Sequence, residues 1–176
     1  MRYIHLFLLL LTALSFQQCG GVSGGYTLSG ISIDPGTKTY YVAEFKNNAY
    51  NSPVTLDITV RETLDNKIRT ETNLTNEDKE PDIEFKGSIV DYVVEGIAPK
   101  PGEASSLNKL TIRLAVEYIV YKENGEIDEE KGWKKNFFHF FEFSSSQNLS
   151  DIEEEAITAI LEDVTERIFN KAFANW

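Results

Sequence analysis

The sequence predicts an α+β fold of two layers, with two helices on one face of a four-stranded mixed sheet and the element order β-α-β-β-β-α. Three observations predict this fold. Residues 110–120 alternate apolar and polar side chains, as a strand with one buried face does. Residues 152–169 place apolar side chains three and four positions apart, as an amphipathic helix does. The length of 176 residues and the hydrophobic content of 41% suit a single domain with one core.

The first strand and the first helix are predicted from neighbouring stretches. Residues 39–45 form a short β-branched and aromatic run that suits a strand with both faces covered. Pro53 stands where proline is favoured at a helix start, and residues 54–68 carry apolar side chains at helical spacing. The helix is therefore predicted to run to about Glu71. The polar residues 72–81 are predicted to connect it to the second strand, which would give a right-handed crossover between two parallel strands.

Three longer strands follow. Residues 83–94 change the face of their apolar side chains partway, which indicates a bulge at Gly87 or at the change itself. Residues 110–120 alternate most regularly, and residues 133–143 form an aromatic-rich return strand. Because a turn sequence containing Gly125 lies between them, these two strands are predicted to form a hairpin.

The last helix is predicted to begin with a capping box formed by Ser150 and Glu153. In that arrangement the serine oxygen accepts a backbone N–H, and the glutamate returns to the serine's own N–H. Acidic residues dominate the first turn, whereas Arg167 and Lys171 lie near the end, which suits the helix dipole. Both helices are predicted to lie on a common face of the sheet, so that the other face is left for water, a partner or a ligand.

The N-terminal residues predict export and attachment to a membrane. Residues 1–18 contain an apolar run of about a dozen residues, which is typical of a signal peptide and shorter than the about 20 that cross a bilayer as a helix. Cys19 is the only cysteine, so its thiol is free and reactive, bridged to another chain, or lipidated. Lipidation fits its position best. Residues 19–25 are therefore predicted to be a lipidated cysteine and a flexible tether, and residues 26–176 the folded domain.

The composition excludes several classes of function. A formal net charge of −11 disfavours binding to nucleic acid, whose phosphates need a basic surface. Of the two histidines, His5 lies in the predicted signal peptide, so His139 alone is left, and neither a zinc-binding histidine cluster nor a catalytic triad can be assembled. The sequence also lacks a glycine-rich phosphate loop. We therefore expect no enzyme activity, no metal and no cofactor.

The last two predicted strands are rich in aromatic residues, and both of their faces are apolar in places. If the face away from the core is exposed, its size would mark an interaction surface. Lys109, Arg113 and Lys122, together with Lys134 and Lys135, would bring cationic groups there to anionic head groups. The alternative is that these charges lie on strand edges and keep the sheet soluble.

Several blocks of the sequence are recognisable. The first is Cys19-Gly20, followed by YTLSG at residues 26–30, and a later one is LNKLTI at residues 107–112. The most specific are FSSSQNL at residues 143–149 and IFNKAFANW at residues 168–176. Together these blocks resemble those of the LptE family, and the resemblance covers nearly the whole mature chain.

The resemblance implies an outer-membrane lipoprotein that assists the β-barrel protein LptD in placing lipopolysaccharide in the outer leaflet. It also implies two helices against a four-stranded sheet, seated as a plug in the barrel lumen, with basic residues that touch lipopolysaccharide. Cys19 carries over as the lipidated residue, whereas Lys109, Arg113 and Lys122 are candidates by their location around the predicted strand at residues 110–120. The expected partners are therefore an LptD-type barrel, lipopolysaccharide and, through the lipid anchor, the outer membrane.

Two other functions compete with this one. A free periplasmic lipoprotein that binds a small apolar ligand would have a cavity between the sheet and the helices, and no barrel partner. A hydrolase ranks last, because the residues that such chemistry needs are missing from the sequence.

Overall fold

The structure is a computed structural model that describes residues 30–98 and 106–174. The predicted signal peptide, Cys19 and the tether lie outside the described residues. Within those residues, no helix has the length and apolar character needed to cross a membrane.

The described residues contain six strands and two helices, joined by loops. They are β1 (Thr39–Val42), β2 (Lys46–Asn47), α1 (Leu56–Glu71), β3 (Thr75–Asn76), β4 (Ile83–Ile97), β5 (Leu107–Val120), β6 (Trp133–Ser144) and α2 (Leu149–Phe173). The strands form one sheet in the order β3-β1-β4-β5-β6, and β2 also pairs with β4. β1 is parallel to β4, whereas β5 is antiparallel to both of its neighbours. The predicted α+β class and the mixed sheet are confirmed.

The predicted count of four strands is wrong, because the sheet has six. The two additional strands, β2 and β3, are two residues long, too short for an alternating pattern to show. β2 arises where the predicted strand 39–45 breaks after Val42 and pairing with β4 resumes at Lys46. β3 lies within the predicted connection 72–81 and pairs with β1.

Helix α1 buries one stripe of side chains and exposes another that the sequence placed in the core. The helix begins at Leu56 rather than at Pro53. Pro53 lies in the turn before the helix, where its carbonyl oxygen accepts a hydrogen bond from the Leu56 N–H at 3.1 Å. Val54 is 90% exposed and Ile58 47% exposed, so the predicted helix start and part of the predicted apolar face are wrong. The buried stripe keeps a spacing of four residues and consists of Leu56, Val60, Leu64 and Ile68.

Helix α2 begins two residues earlier than the predicted capping box allows. Its N-cap is Asn148, and the Asn148 carbonyl oxygen accepts the Asp151 N–H at 3.1 Å. Ser150 is already helical, and the Glu153 carboxylate accepts a hydrogen bond from the Tyr92 hydroxyl at 2.5 Å. The predicted capping box is therefore wrong, because the side chain that would have completed it instead joins the helix to β4.

Strands β4, β5 and β6 form an antiparallel meander, which confirms the predicted hairpin of β5 and β6. The register of β4 against β5 shifts between Ile89 and Asp91, so the bulge lies at the change of pattern and not at Gly87. Phe85 before the shift and Tyr92 after it are both buried. The bulge therefore keeps the apolar side chains of a long strand on the side of the helices.

The core lies between the sheet and the two helices, which pack against each other and against the same side of the sheet. Its side chains form one hydrophobic cluster that includes the fully buried Phe85, Leu114 and Ile160. Lys67 on α1 forms an ion pair with Glu166 on α2 at the surface. The predicted arrangement of both helices on a common face is thus confirmed.

Candidate functional site

The side of β4, β5 and β6 that faces away from the helices is the candidate site, and we call it the open face. Side chains alternate across each strand, so every second residue belongs to this face. The cross-strand register arranges them in rows of three. The five central rows of the open face comprise Lys86, Ser88, Asp91, Val93 and Glu95 of β4, Lys109, Thr111, Arg113, Ala115 and Glu117 of β5, and Lys134, Asn136, Phe138, Phe140 and Glu142 of β6.

Arg113 lies at the centre of the open face and is held from two sides. Its Nε donates a hydrogen bond to Asp91 Oδ2 at 2.8 Å, and its guanidinium carbon lies 4.9 Å from the centroid of the Phe138 ring. Arginine combines a fork of donors with a flat face that stacks on aromatic rings, so it can make both contacts together. The positive charge of Arg113 is therefore already matched by a carboxylate and a ring.

Lys109 repeats this arrangement four residues earlier in β5. Its Nζ lies 3.5 Å from Glu95 Oε2 and 5.6 Å from the centroid of the Phe140 ring. Phe138 and Phe140 are 47% and 41% exposed, and Val93 on β4 is 41% exposed. The predicted cations Lys109 and Arg113 thus lie on one surface, which also exposes the apolar side chains that the aromatic-rich strands predicted.

Two charged rows lie on either side of the rows that contain Phe138 and Phe140. The row of Glu95, Lys109 and Glu142 carries two acids and one base, and we call it the acidic row. The row of Lys86, Glu117 and Lys134 carries two bases and one acid, and we call it the basic row. In the basic row, the Glu117 carboxylate lies 3.0 Å from Lys134 Nζ and 3.9 Å from Lys86 Nζ. Opposite charges on adjacent strands stabilise each row modestly.

A shallow cavity of about 390 Å³ lies beside the basic row. Small side chains make it shallow and open, because glycine, serine and alanine occupy neighbouring positions on β4 and β5. Its lining consists of Gly87, Ser88, Ala115, Val116, Glu117, Lys134, Lys135 and Asn136. The open face therefore has a depression towards its basic end and protruding phenyl rings near its centre.

Lys122 lies apart from the other two candidate cations. It follows the end of β5, where its backbone N–H donates to the Glu126 carbonyl oxygen at 2.8 Å. It lines a groove of about 670 Å³ that also contains the carboxylates of Asp78, Glu80 and Glu84. These carboxylates would repel an anionic ligand that approached Lys122. The structure therefore brings Lys109 and Arg113 together but does not bring Lys122 to them.

The acidic groove also contains a strongly hydrogen-bonded tyrosine. Tyr121 donates to Glu84 Oε2 at 2.6 Å, and this hydrogen bond, with burial and the carboxylate charge, raises the pKa of Tyr121 to about 12. At the same end of the sheet, burial opposes ionisation of Asp82, but the backbone N–H groups of Lys38 and Thr39 hold the pKa of that carboxyl below its ordinary value. These contacts fasten the start of β1 to the start of β4.

The carboxylates of the open face could not be selected from the sequence. Asp91, Glu95 and Glu117 each stand near other charged residues, and nothing in their spacing distinguishes them from solvated acids. Only the strand register reveals that each lies opposite a cation. A signal was present in the regular alternation of residues 110–120, which fixed the side of Lys109 and Arg113 but not the identity of their neighbours.

The comparison with known families decides where this chain belongs. The family model LptE, described as lipopolysaccharide assembly, matches residues 37–172. The chain belongs to the LptE family. The match includes all six strands and all of α2 except its last residue. The resemblance inferred from the sequence blocks is therefore confirmed at the level of the family.

No curated protein matches the chain significantly. Among solved structures, lipoprotein B from Nitrosomonas europaea shares 18% identity, with 82% of this chain and 88% of that chain covered and a TM-score of 0.43. PelC from Paraburkholderia phytofirmans shares 13%, with coverages of 77% and 91% and a TM-score of 0.44. A protein from Xanthomonas campestris shares 11%, with coverages of 79% and 87% and a TM-score of 0.48. These structural similarities are too distant to indicate the function of this member of the LptE family.

Proposed function

We propose that this LptE family chain is an outer-membrane lipoprotein, anchored through Cys19, that assists an LptD-type β-barrel in the transport of lipopolysaccharide and its insertion into the outer leaflet. The observation that carries the proposal is the family match over residues 37–172. That match includes the sheet, the helices and the open face, so the proposed role belongs to the whole folded domain. The domain acts as a plug and assembly factor and breaks no covalent bond.

The shape and surface of the domain support a role as a plug. A single core joins both helices to the sheet, so the domain can occupy a lumen as one rigid body. The interior of an outer-membrane barrel is polar, and the lipid-facing side is the apolar one. The charged rows of the open face suit a polar lumen, and Lys109, Lys134 and Lys86 already have carboxylate partners within the face.

Lys109 and Arg113 remain the proposed contacts to lipopolysaccharide, with Lys122 as a separate third candidate. Phosphate groups on a lipid head group compete with carboxylates for the same cations. Binding at the open face therefore requires exchange, in which a phosphate displaces Asp91 from Arg113 or Glu95 from Lys109. Such an exchange favours weak and reversible contact, which suits a factor that passes lipopolysaccharide onward.

The alternative function, a free carrier of a small apolar ligand, finds little support in the core. It needs a cavity between the sheet and the helices. In the described residues, Leu114 on the sheet and Ile160 on α2 are fully buried in one continuous cluster. A cavity of about 260 Å³ lies between β5 and the end of α2 and reaches Tyr118 and Phe173 of that cluster, but the ion pair of Asp34 and Lys131 also lines it, which does not suit an apolar ligand.

Crosslinking in intact cells tests the proposal. A tagged full-length chain is crosslinked, purified under denaturing conditions, and its partners are identified by mass spectrometry. We expect an outer-membrane barrel of the LptD type in the crosslinked product. A Cys19→Ser chain serves as the control, because it keeps the folded domain and loses the lipid anchor; we expect less crosslinking and release from the membrane fraction. Recovery of the wild-type chain without any such barrel would contradict the proposal.

A further inference from the structure

We propose that the free edge of β4, from Tyr92 to Ile97, receives an extended, basic segment of the barrel partner as an additional strand of the sheet. We call this stretch the β4 edge. The identity of the partner rests on the function proposed above, whereas the place and the manner of its attachment are new. The observations that carry the proposal are an interrupted strand pairing, the direction of the backbone groups beyond the interruption, and the side chains that lie beside them.

Strand β4 has neighbours on both sides for only part of its length. From Ile83 to Ile89 it lies between β5 on one side and β1 and β2 on the other. β2 ends at Asn47, and the last hydrogen bond on this side runs from the Asn48 N–H to the Ile89 carbonyl oxygen, at 3.0 Å. β4 then continues to Ile97 paired with β5 alone, since no other strand in the described part of the chain reaches it there.

The strand register determines which backbone groups of the β4 edge point away from β5. Neighbouring residues of a strand direct their N–H and C=O groups to opposite sides. The Tyr121 N–H donates to the carbonyl oxygen of the residue before β4, and Arg113 lies eight residues earlier, so the backbone of Arg113 also faces β4. Its register partner Asp91 therefore faces β5. The residues whose N–H and C=O groups point outward are Tyr92, Val94 and Gly96.

The β4 edge lacks the residues that usually keep an edge strand from pairing. Natural edge strands often carry lysine or proline, or are twisted away by a bulge. The long edge strand β6 carries Lys134 and Lys135, whereas residues 92–97 contain neither lysine nor proline, and the bulge of β4 lies before them. Residues 93–96 are all exposed. The outward backbone groups are therefore accessible to an added strand, which is a common way for a sheet to bind an extended peptide.

The side chains of the β4 edge specify an alternating partner. On the side of the helices, an added strand lies beside Tyr92 and Val94, and Val94 is 44% exposed. On the side of the open face, it lies beside Glu95, whose side chain is 60% exposed. Cross-strand neighbours stabilise a sheet when both are apolar or when their charges are opposite. The complementary segment therefore has apolar residues towards the helices and a lysine or arginine towards Glu95.

The surroundings of the β4 edge are acidic. Beyond the bulge, β4 carries Asp91 and Glu95 and no base, and Lys109 and Arg113 lie on the far side of these acids from the edge. Helix α2 begins nearby, because its Glu153 accepts the hydrogen bond of the Tyr92 hydroxyl. The residues after Asn148 add four more acids, namely Asp151, Glu153, Glu154 and Glu155. These charges attract a basic segment and repel an acidic one.

Exposed apolar side chains lie near the start of the β4 edge. The segment that joins β2 to α1 is fastened to Asn47, whose Nδ2 donates to the Pro53 carbonyl oxygen at 3.1 Å and whose Oδ1 accepts the Ser52 hydroxyl at 2.9 Å. This segment leaves Tyr50 and Val54 almost fully exposed. They contribute nothing to the core, and they extend the apolar surface that an incoming segment meets beside the edge.

Photo-crosslinking of the full-length chain in intact cells tests the proposal. A benzophenone amino acid replaces Gly96 on the β4 edge, where an added Cβ meets only the Asn108 side chain, at 3.8 Å. In a second chain the same amino acid replaces Phe138 on the open face. We expect the probe at Gly96 to capture the barrel through one short segment that carries basic residues at alternate positions, identified by mass spectrometry.

Val94→Pro and its matched control Val94→Thr test the backbone pairing. Proline removes the outward N–H of Val94 and is tolerated there, because the ladder with β5 does not use that N–H. Threonine keeps the N–H and the branched shape. We expect Val94→Pro to lower capture from Gly96 about tenfold and Val94→Thr to leave it within about twofold. Capture from Phe138 should stay within about twofold for both variants, because the open face does not depend on the edge.

Reversal of the charge at Glu95 tests the same edge without proline. We expect Glu95→Lys to lower capture from Gly96 about threefold or more, because the new lysine repels a basic segment. Glu129→Lys, an equal change of charge at an exposed position in the loop before β6, should leave that capture unchanged. Urea midpoints equal to that of the wild type establish that the variants fold, and Glu95→Lys decides the question if Val94→Pro does not pass this check.

The two probes separate the failure of this proposal from the failure of the proposed function. Capture of the barrel from Phe138 but not from Gly96 would overturn the proposal and leave the proposed function standing. Equal capture by the proline and threonine variants, or a captured segment without basic residues, would do the same. Absence of a barrel from both probes would contradict the proposed function, and the strand addition would fall with it.

Discussion

Strand β5 shows two different surfaces to its two sides. Towards the helices it presents Leu110, Ile112 and Leu114, all fully buried, and towards the open face it presents Lys109 and Arg113 with their carboxylate partners. The first side excludes water, whereas the second stays accessible and matches its charges within the sheet. In β5, therefore, the side chains on one side of the strand stabilise the fold, and those on the other side are available for recognition.

The two sides of β5 contribute different amounts to the free energy of unfolding, because one buries apolar side chains and the other forms exposed ion pairs. Full burial of one large aliphatic side chain contributes about 1.5–3 kcal/mol, and the helix-covered side has many of them. An exposed ion pair contributes about 0–1 kcal/mol, because water screens it and its long side chains lose freedom. The open face can therefore exchange its ion pairs for those of a partner without unfolding the domain.

The largest contrast in stability is expected between a substitution on the core side of β5 and one on the open face of β6. Leu114→Ala removes a fully buried side chain from the core, and we expect it to lower the free energy of unfolding by about 2–5 kcal/mol. Phe138→Ala removes a larger side chain that is 47% exposed, and we expect a loss of under about 1 kcal/mol. Urea denaturation followed by circular dichroism measures both. An equal loss for the two variants would mean that the open face contributes to the fold as much as the core does.

Two glycines of β4 provide a second contrast. A Cβ at Gly87 would lie 2.2 Å from the Ala115 carbonyl oxygen and 2.8 Å from the Phe45 ring, so backbone and core must shift. A Cβ at Gly96 would meet only the Asn108 side chain, at 3.8 Å. We expect Gly87→Ala to destabilise by about 1–3 kcal/mol and Gly96→Ala to be near neutral. Thermal unfolding of the two variants checks this, and equal midpoints would show that β4 and β5 separate at Gly87 without cost.

The core side of β5 should also make stability depend on alkaline pH. Burial, and to a lesser extent the charge of Asp34, raises the pKa of Tyr118 to about 12. The folded-state pKa lies above the unfolded value of about 10. The stability that the neutral Tyr118 hydroxyl contributes is therefore fully present below pH 10 and is lost as the pH rises towards 12. The loss at pH 11 should be about 1.4 kcal/mol relative to neutral pH.

Tyr118→Phe isolates that contribution. Urea denaturation at several pH values between 8 and 11 gives the free energy of unfolding of the variant and the wild type. Their difference should change across this range, because the phenyl ring of the variant has no proton to lose and the other tyrosines titrate in both proteins. A difference that stays constant from pH 8 to pH 11 would mean that the Tyr118 hydroxyl ionises as easily in the folded protein as in the unfolded one.

The long, regularly patterned strands and helices could be predicted from the sequence. Two-residue strands, and segments whose pattern fits more than one structure, could not. Residues 110–120 alternate so regularly that both the strand and the side facing the core followed from them. The pattern of residues 54–60 satisfies a strand and a helix period at once, so Val54 and Ile58 were placed on the wrong side of the helix. The capping box failed because the carboxylate of Glu153 found the Tyr92 hydroxyl on a distant strand, a contact that local spacing does not encode.

The candidate site was predictable in its cations and not in their partners. Lys109 and Arg113 share a face because residues four apart in a strand must. Their pairing with Glu95 and Asp91 depends on the bulge in β4, which moves the acids by one position relative to β5. Lys122 was grouped with them because it is near in sequence, but it lies beyond the end of the strand, where side-chain alternation no longer applies.

The smallest expected effect concerns the basic row, and it separates folding from recognition most directly. Glu117→Gln removes the carboxylate shared by Lys86 and Lys134 and keeps the size of the side chain. We expect the free energy of unfolding to fall by no more than about 1 kcal/mol, with the difference shrinking at high salt as the lost attraction is screened. Urea denaturation at 0.05 and 0.5 M sodium chloride measures it. A loss approaching that of Leu114→Ala would instead show that the charged rows hold the sheet together and that the two sides of β5 are less different than their burial indicates.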